Sequence, residues 1–258
     1  IASGLLEWSQ MKQNGVAATA SATGGARIAA GRIAALLEAD PTLEVHLVAH
    51  SAGSIFLGPL AQLLTANGAI SGGPLSGSTG YGCTIASCTL WAPACTMDFF
   101  KQTYLPAITA RQLRKFSLFT LTDKAERDDN CADIYHKSLL YLVSDAFEDR
   151  PRIPLIRDGV PILGMEKFVR QDPSLVSMLG DHWVQAPNTE PQGSPSASGA
   201  RHHGDFHADP ATLRATLARI LAGDAAGVAR ADTATFHRMA SASAARSRRQ
   251  AVDTASRA

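Results

Sequence analysis

Apolar positions recur along this chain in two periods, and the alternation of the two predicts its layout. Between residues 26 and 39, Ile28, Ile33, Leu36 and Leu37 fall among alanines at helical spacing and Asp40-Pro41 closes the run, which predicts an amphipathic helix. "LEVHLVA" (43–49) follows, short and almost wholly apolar, and reads as a strand covered on both faces as in a parallel sheet. A second helix is expected from about Ala52 to Ala66, stopped by Asn67-Gly68, with Pro59 predicting a kink or an irregular first turn. Glycines and serines make 67–83 a predicted loop, and the stretch before residue 26 a Gly/Ala/Ser/Thr-rich lead. "CTIASCTLWAPA" (83–94) and "KFSLFTLTD" (115–123) supply two more strands, separated by a helical pattern over 97–114. Strand, helix, strand, helix, strand with right-handed crossovers predicts an α/β fold: a mostly parallel sheet flanked by helices.

Further on, "YHKSLLYLVSDAFE" (135–148) predicts a helix and "IPLIRDGVPILG" (153–164) a last, proline-interrupted strand. Residues 186–200 read as a loop that ends at "RHHGDFHADP". There Asp209 is placed to cap a helix starting at Pro210, whose apolar stripe is Leu213, Leu217, Ile220 and Leu221 and whose end is Gly223. One domain is expected over 1–239, followed by an Ala/Ser/Arg-rich, disordered basic tail over 240–258.

Composition narrows the classes. The chain has 258 residues, 45% of them hydrophobic, enough for a sizeable core. With 24 basic and 23 acidic residues the net charge is +1, so no overall field points to nucleic acid. No apolar run reaches the ~18 residues of a membrane span. Four cysteines without paired metal spacing fit reduced thiols in a cytoplasmic protein, a Cys83–Cys88 bridge being the alternative.

The candidate chemistry sits at residues 49–53, "AHSAG", where the first strand feeds a helix. A tight strand-to-helix turn forces one residue into a strained conformation and demands small neighbours; Ser51 has Ala49 two before it and Gly53 two after it. Such a turn lifts the hydroxyl off the sheet edge and aims the amide of Ala52 toward the helix N-terminus, where negative charge is stabilised.

In this setting the pentapeptide resembles the nucleophile elbow of the α/β-hydrolase superfamily, G-x-S-x-G, with alanine in place of the first glycine. The resemblance spans about residues 25–225 and covers the second half of that fold, strands five to eight; the first half and its His-Gly-Gly oxyanion loop are not visible, so upstream strands are expected to be missing. It implies a serine hydrolase cleaving a small-molecule ester or related acyl bond without cofactor or metal. Ser51 would be the nucleophile, Ala52 N–H an oxyanion donor, Asp123 the acid and His203 the base. Asp128 and Asp129 compete with Asp123, and His202 and His207 with His203, which the following Gly204 favours. His50 is expected to shape the elbow. Trp91, Pro93, Met97, Phe99 and Phe100 are candidates for an apolar acyl pocket or for ordinary core. A metal among His202, His203, His207, Asp205 and Asp209 has no recognised ligand spacing. The rival from another class is a catalytically silent unit kept for packing or partner contact.

Overall fold

The computed structural model describes residues 2–131, 135–153 and 156–221. The expected tail, 240–258, lies outside them. Two helices open the chain, α1 (Ala2–Ala20) and α2 (Gly25–Ala39), so the first turns out helical where a lead was expected. Strand β1 (His46–His50) runs through the elbow into α3 (Gly53–Thr65), which passes Pro59 as a single helix. The predicted loop contains a small hairpin, β2 (Asn67–Ala69) and β3 (Thr79–Tyr81). Strand β4 (Ile85–Trp91) is followed by two short helices, α4 (Met97–Thr103) and α5 (Leu105–Thr109), and then by β5 (Leu113–Leu121).

Next come α6 (Asp123–Asp128), α7 (Leu139–Leu142), a π-helical turn over Val143–Phe147, α8 (Glu166–Val169) and α9 (Pro173–Leu179). Strand β6 (Trp183–Ala186) and helix α10 (Pro210–Ile220) complete the described part. Among its described residues, the stretch expected as a last strand, 153–164, forms only isolated bridges, such as Ile162 with Thr96. Its Pro161 lacks the N–H that a ladder needs.

The main sheet has the order β1-β4-β5-β6, every pair parallel, as the α/β pattern predicts. Register places Leu47, Cys88 and Phe116 in one row and Ala49, Leu90 and Leu118 in the next, all buried on the face that α3, α4 and α5 cover. There Phe100 and Tyr104 close on Phe116 at ring distances of 5.4 and 6.3 Å. The opposite face carries His50, Trp91 and Phe119, and α10 packs on it through a Trp91 Nε1–H bond to Thr216 Oγ1 of 3.0 Å. Arg219 pins this helix: its guanidinium donates to the carbonyls of Pro195 (2.6 Å) and Asp181 (2.9 Å) and to His182 Nδ1 (2.9 Å).

All four cysteines are free thiols, so no Cys83–Cys88 bridge forms. Burial raises the Cys95 pKa to about 12 and pushes that of Cys88 up as well, which leaves both inert as nucleophiles. Among the described residues no helix is long and apolar enough to cross a membrane.

Candidate functional site

Ser51 has a φ of 55°, a left-handed conformation that costs a non-glycine residue about 1–2 kcal/mol. The fold holds it there with backbone bonds from both sides. Ser51 N–H donates to Trp91 O at 2.9 Å, and Ser51 O accepts from Ala94 N–H (3.0 Å), Ser54 N–H (3.0 Å) and Ser54 Oγ–H (2.7 Å). Ser54 is fully buried; its Oγ also accepts the Cys95 N–H at 3.1 Å, and its carbonyl accepts the Tyr104 hydroxyl at 2.7 Å. The end of β4 is thereby tied to the corner between β1 and α3. A Cβ added at Gly53 would stand 3.4 Å from that of Ala49, at the edge of ordinary van der Waals contact. Against the segment that follows β4, glycine is required at 164, where a Cβ would lie 2.4 Å from Pro93 O.

His203 comes to this corner from the loop between β6 and α10. Its Nε2 accepts the Ser51 hydroxyl at 2.7 Å, and the residue is 7% exposed. Its carbonyl takes the His50 Nε2–H at 2.9 Å and its backbone N–H donates to Asp129 Oδ2 at 3.0 Å, so the main chain of His203 is anchored on both sides. The His50 ring lies 5.1 Å from that of His203 and 5.9 Å from that of His207. Burial, helped by the neighbouring His50, drives the His203 pKa down to about 3 against the opposing pull of Asp129. The ring is therefore neutral at pH 7, the protonation state a general base needs, while the same burial weakens it as a base.

The carboxylate that reaches His203 is Asp129, not Asp123. Asp129 is 7% exposed; its Oδ2 accepts the His203 N–H while Oδ1 accepts the N–H of Asn130 (2.8 Å) and the Nδ1–H of His202 (2.7 Å). Asp123 is turned elsewhere: the Tyr141 hydroxyl donates to its Oδ1 at 2.6 Å, and Arg127 Nη2 stands 2.8 Å from its Oδ2. The reason is local. Thr122 caps α6 by accepting the Ala125 N–H, which makes Asp123 the first helical residue, facing Arg127 one turn on; Asp129 leaves the helix at its C-terminal end. Asp128 pairs with Lys124 at the surface. The His203 Nδ1 is buried and has no hydrogen-bond partner among the described residues.

Ala52 sits at the N-terminal end of α3, with φ −59° and ψ −21°, and its N–H has no acceptor among the described residues. Of the other candidates in the histidine loop, His202 binds Asp129, while Asp205 accepts the N–H groups of Arg201 (2.9 Å) and His202 (2.8 Å). Asp209 caps α10 by accepting the Thr212 N–H at 2.9 Å, as expected. No group of three or more His, Cys, Asp or Glu side chains is placed to hold a metal among the described residues. Trp91, Met97 and Phe100 belong to the core, whereas Phe99 borders a cavity. Sequence reasoning missed Ser54 and Tyr104; the only trace of the first is a hydroxyl three residues after the elbow serine.

No family model, curated protein or solved structure matches this chain.

Proposed function

We propose that the chain is a serine hydrolase of α/β-hydrolase type that cleaves an ester or related acyl bond, with Ser51, His203 and Asp129 as its triad. The observation that carries this is the 2.7 Å bond between a strained elbow serine and the Nε2 of a buried, neutral histidine. Topology agrees with the second half of that fold. The nucleophile follows β1, the acid follows β5 and the histidine follows β6, the third and fourth strands in a parallel order β1-β4-β5-β6.

In the reaction, Ser51 Oγ attacks the carbonyl carbon as its proton passes to His203 Nε2, and the new C–O bond leaves an oxyanion that the Ala52 N–H stabilises. Asp129 stabilises the imidazolium. Its carboxylate accepts the His203 backbone N–H, while the ring Nδ1 has no partner among the described residues, so the triad requires Asp129 to turn from its present partners onto that nitrogen in the reacting complex. The imidazolium then protonates the leaving alkoxide, the C–O bond to it breaks, and an acyl-serine remains. Water, deprotonated by His203, attacks the acyl carbon and frees the acid and Ser51.

A pre-steady-state measurement tests this. With a p-nitrophenyl ester in excess, p-nitrophenol should appear in a burst approaching one equivalent of enzyme before the steady rate, and His203→Gln should lose both phases. Turnover that survives His203→Gln would argue against the mechanism.

A further inference from the structure

Basic and acidic residues nearly balance over the whole chain, 24 against 23, yet five basic side chains converge on one cavity of about 530 Å³. Arg127 comes from α6, Lys137 from just before α7, Arg152 and Arg157 from the segment that follows the π-helical turn, and Lys167 from α8. Tyr141 organises three of them. Its hydroxyl accepts from Arg127 Nε at 3.3 Å, and the ammonium groups of Lys137 and Lys167 stand 4.7 and 5.2 Å from its ring centre.

These charges are only partly neutralised. Lys167 holds Asp158 at 2.9 Å, and Arg152 reaches the same carboxylate only at 3.9 Å. Arg127 pairs with Asp123, which does not line the cavity. Arg157 spends its guanidinium on the Pro151 carbonyl, at 2.7 and 3.2 Å, and Lys137 has no carboxylate within ion-pair distance among the described residues. Asp145, the other acidic lining residue, accepts from the Tyr135 hydroxyl at 3.1 Å and pairs with no cation among the described residues. Even with Asp123 counted, five cations face three carboxylates, a surplus of two positive charges around one concave place, where the field is focused.

That surplus matches a phosphate monoester, which carries about −1.5 to −2 charge at pH 7 and offers three strong acceptor oxygens. Guanidinium forks and ammonium groups are the donors such a group takes. The volume is that of an organic ligand rather than a bare ion, and the rest of the wall includes the Tyr141 ring and Ile156, which is 81% exposed. We infer that this cavity binds a phosphate monoester of a small organic molecule, with the phosphate on Lys137 and Arg157 and the organic part against Tyr141 and Ile156. The site shares no residue with Ser51, His203 and Asp129, so its test is independent of the hydrolase reading.

The experiment titrates phenyl phosphate, inorganic phosphate and benzoate into the wild-type protein by calorimetry at low salt. Phenyl phosphate is then titrated into Lys137→Gln, Arg157→Gln and, as a control, Arg114→Gln, which removes an exposed β5 cation outside the cavity; circular dichroism confirms folding. Arg157→Gln releases the Pro151 carbonyl and can loosen its loop, whereas Lys137→Gln gives up only a contact with a ring. Phenyl phosphate is expected to bind at one equivalent and at least about fivefold tighter than phosphate or benzoate, with its Kd raised at least about fivefold by either cavity variant and unchanged by Arg114→Gln. No binding to folded wild-type protein, a Kd that neither cavity variant raises, or an equal loss in Arg114→Gln overturns the inference. Inorganic phosphate or benzoate binding as tightly as phenyl phosphate also overturns it, the first by removing the organic part and the second by removing the phosphate.

Discussion

Asp129→Asn is the substitution that separates the proposed acid from the carboxylate nearest the strand. It removes the charge of a buried carboxylate that accepts three hydrogen bonds, from His203 N–H, Asn130 N–H and His202 Nδ1–H. An amide keeps one acceptor oxygen and turns an NH2 toward the remaining donors, so the imidazolium formed in the reaction loses its counter-charge. Loss of the acid in a serine triad lowers kcat by about 10³- to 10⁴-fold, which is about 4–5.5 kcal/mol of barrier. Asp123→Asn touches only a partly exposed pair, with side chains 29% and 61% exposed for Asp123 and Arg127, and the Tyr141 hydroxyl. It should cost about 0–1 kcal/mol of stability and change kcat by less than about threefold. Initial rates on a p-nitrophenyl ester, with thermal melts of each variant to set aside unfolding, make the comparison. A small effect of Asp129→Asn beside a large one of Asp123→Asn would refute the assignment.

Other consequences concern pH and packing. Because His203 is held neutral down to about pH 3, the acid limb of kcat/KM that reports its protonation should fall below the ordinary histidine value of about 6.5, and a limb at or above 7 would contradict its burial. Glu126 is fully buried, one of its oxygens lacks a partner, and burial pushes its pKa up to about 8. A carboxyl raised in this way gives stability that is present below its unfolded value of about 4.5 and lost as pH rises toward 8, so Glu126→Gln should raise Tm at pH 8 relative to pH 5; an equal change at both would refute it. Arg219→Met leaves the Pro195 and Asp181 carbonyls without their guanidinium donors and should cost about 2–3 kcal/mol in urea unfolding, while labelling of Ser51 in the folded protein persists. An unchanged urea midpoint would show that α10 is not held by this clamp.

The parts of the fold legible in the sequence were those with one dominant period. "LEVHLVA" and "CTIASCTLWAPA" are short apolar runs bounded by polar turns, and both become parallel strands; Asp209-Pro210 marks a helix start by cap chemistry and begins α10. Helix α1 carries few large apolar residues among its alanines, glycines and serines, and among those described only Trp8 and Thr19 are buried, so its stripe was faint. Strand β6 is four residues long, and its pairing with β5 is decided by contacts distant in sequence.

At the site, Ser51 and His203 were readable because elbow and loop each announce a tight turn. The acid was not. Distance along the chain favoured Asp123, while the helix-starting Thr122 followed by "DKAERD" turns that residue away and delivers Asp129. Ser54 and Tyr104 fix the elbow through bonds that span up to 50 residues, and no local pattern carries them.

The most direct test of the central claim is reaction of the protein with a fluorophosphonate, followed by peptide mass spectrometry. The account predicts one equivalent of adduct on Ser51, lost in Ser51→Ala and slowed by orders of magnitude in His203→Gln, with both variants folded. Absence of an adduct on folded wild-type protein, or an adduct on another residue that persists in Ser51→Ala, would contradict it and favour a catalytically silent unit.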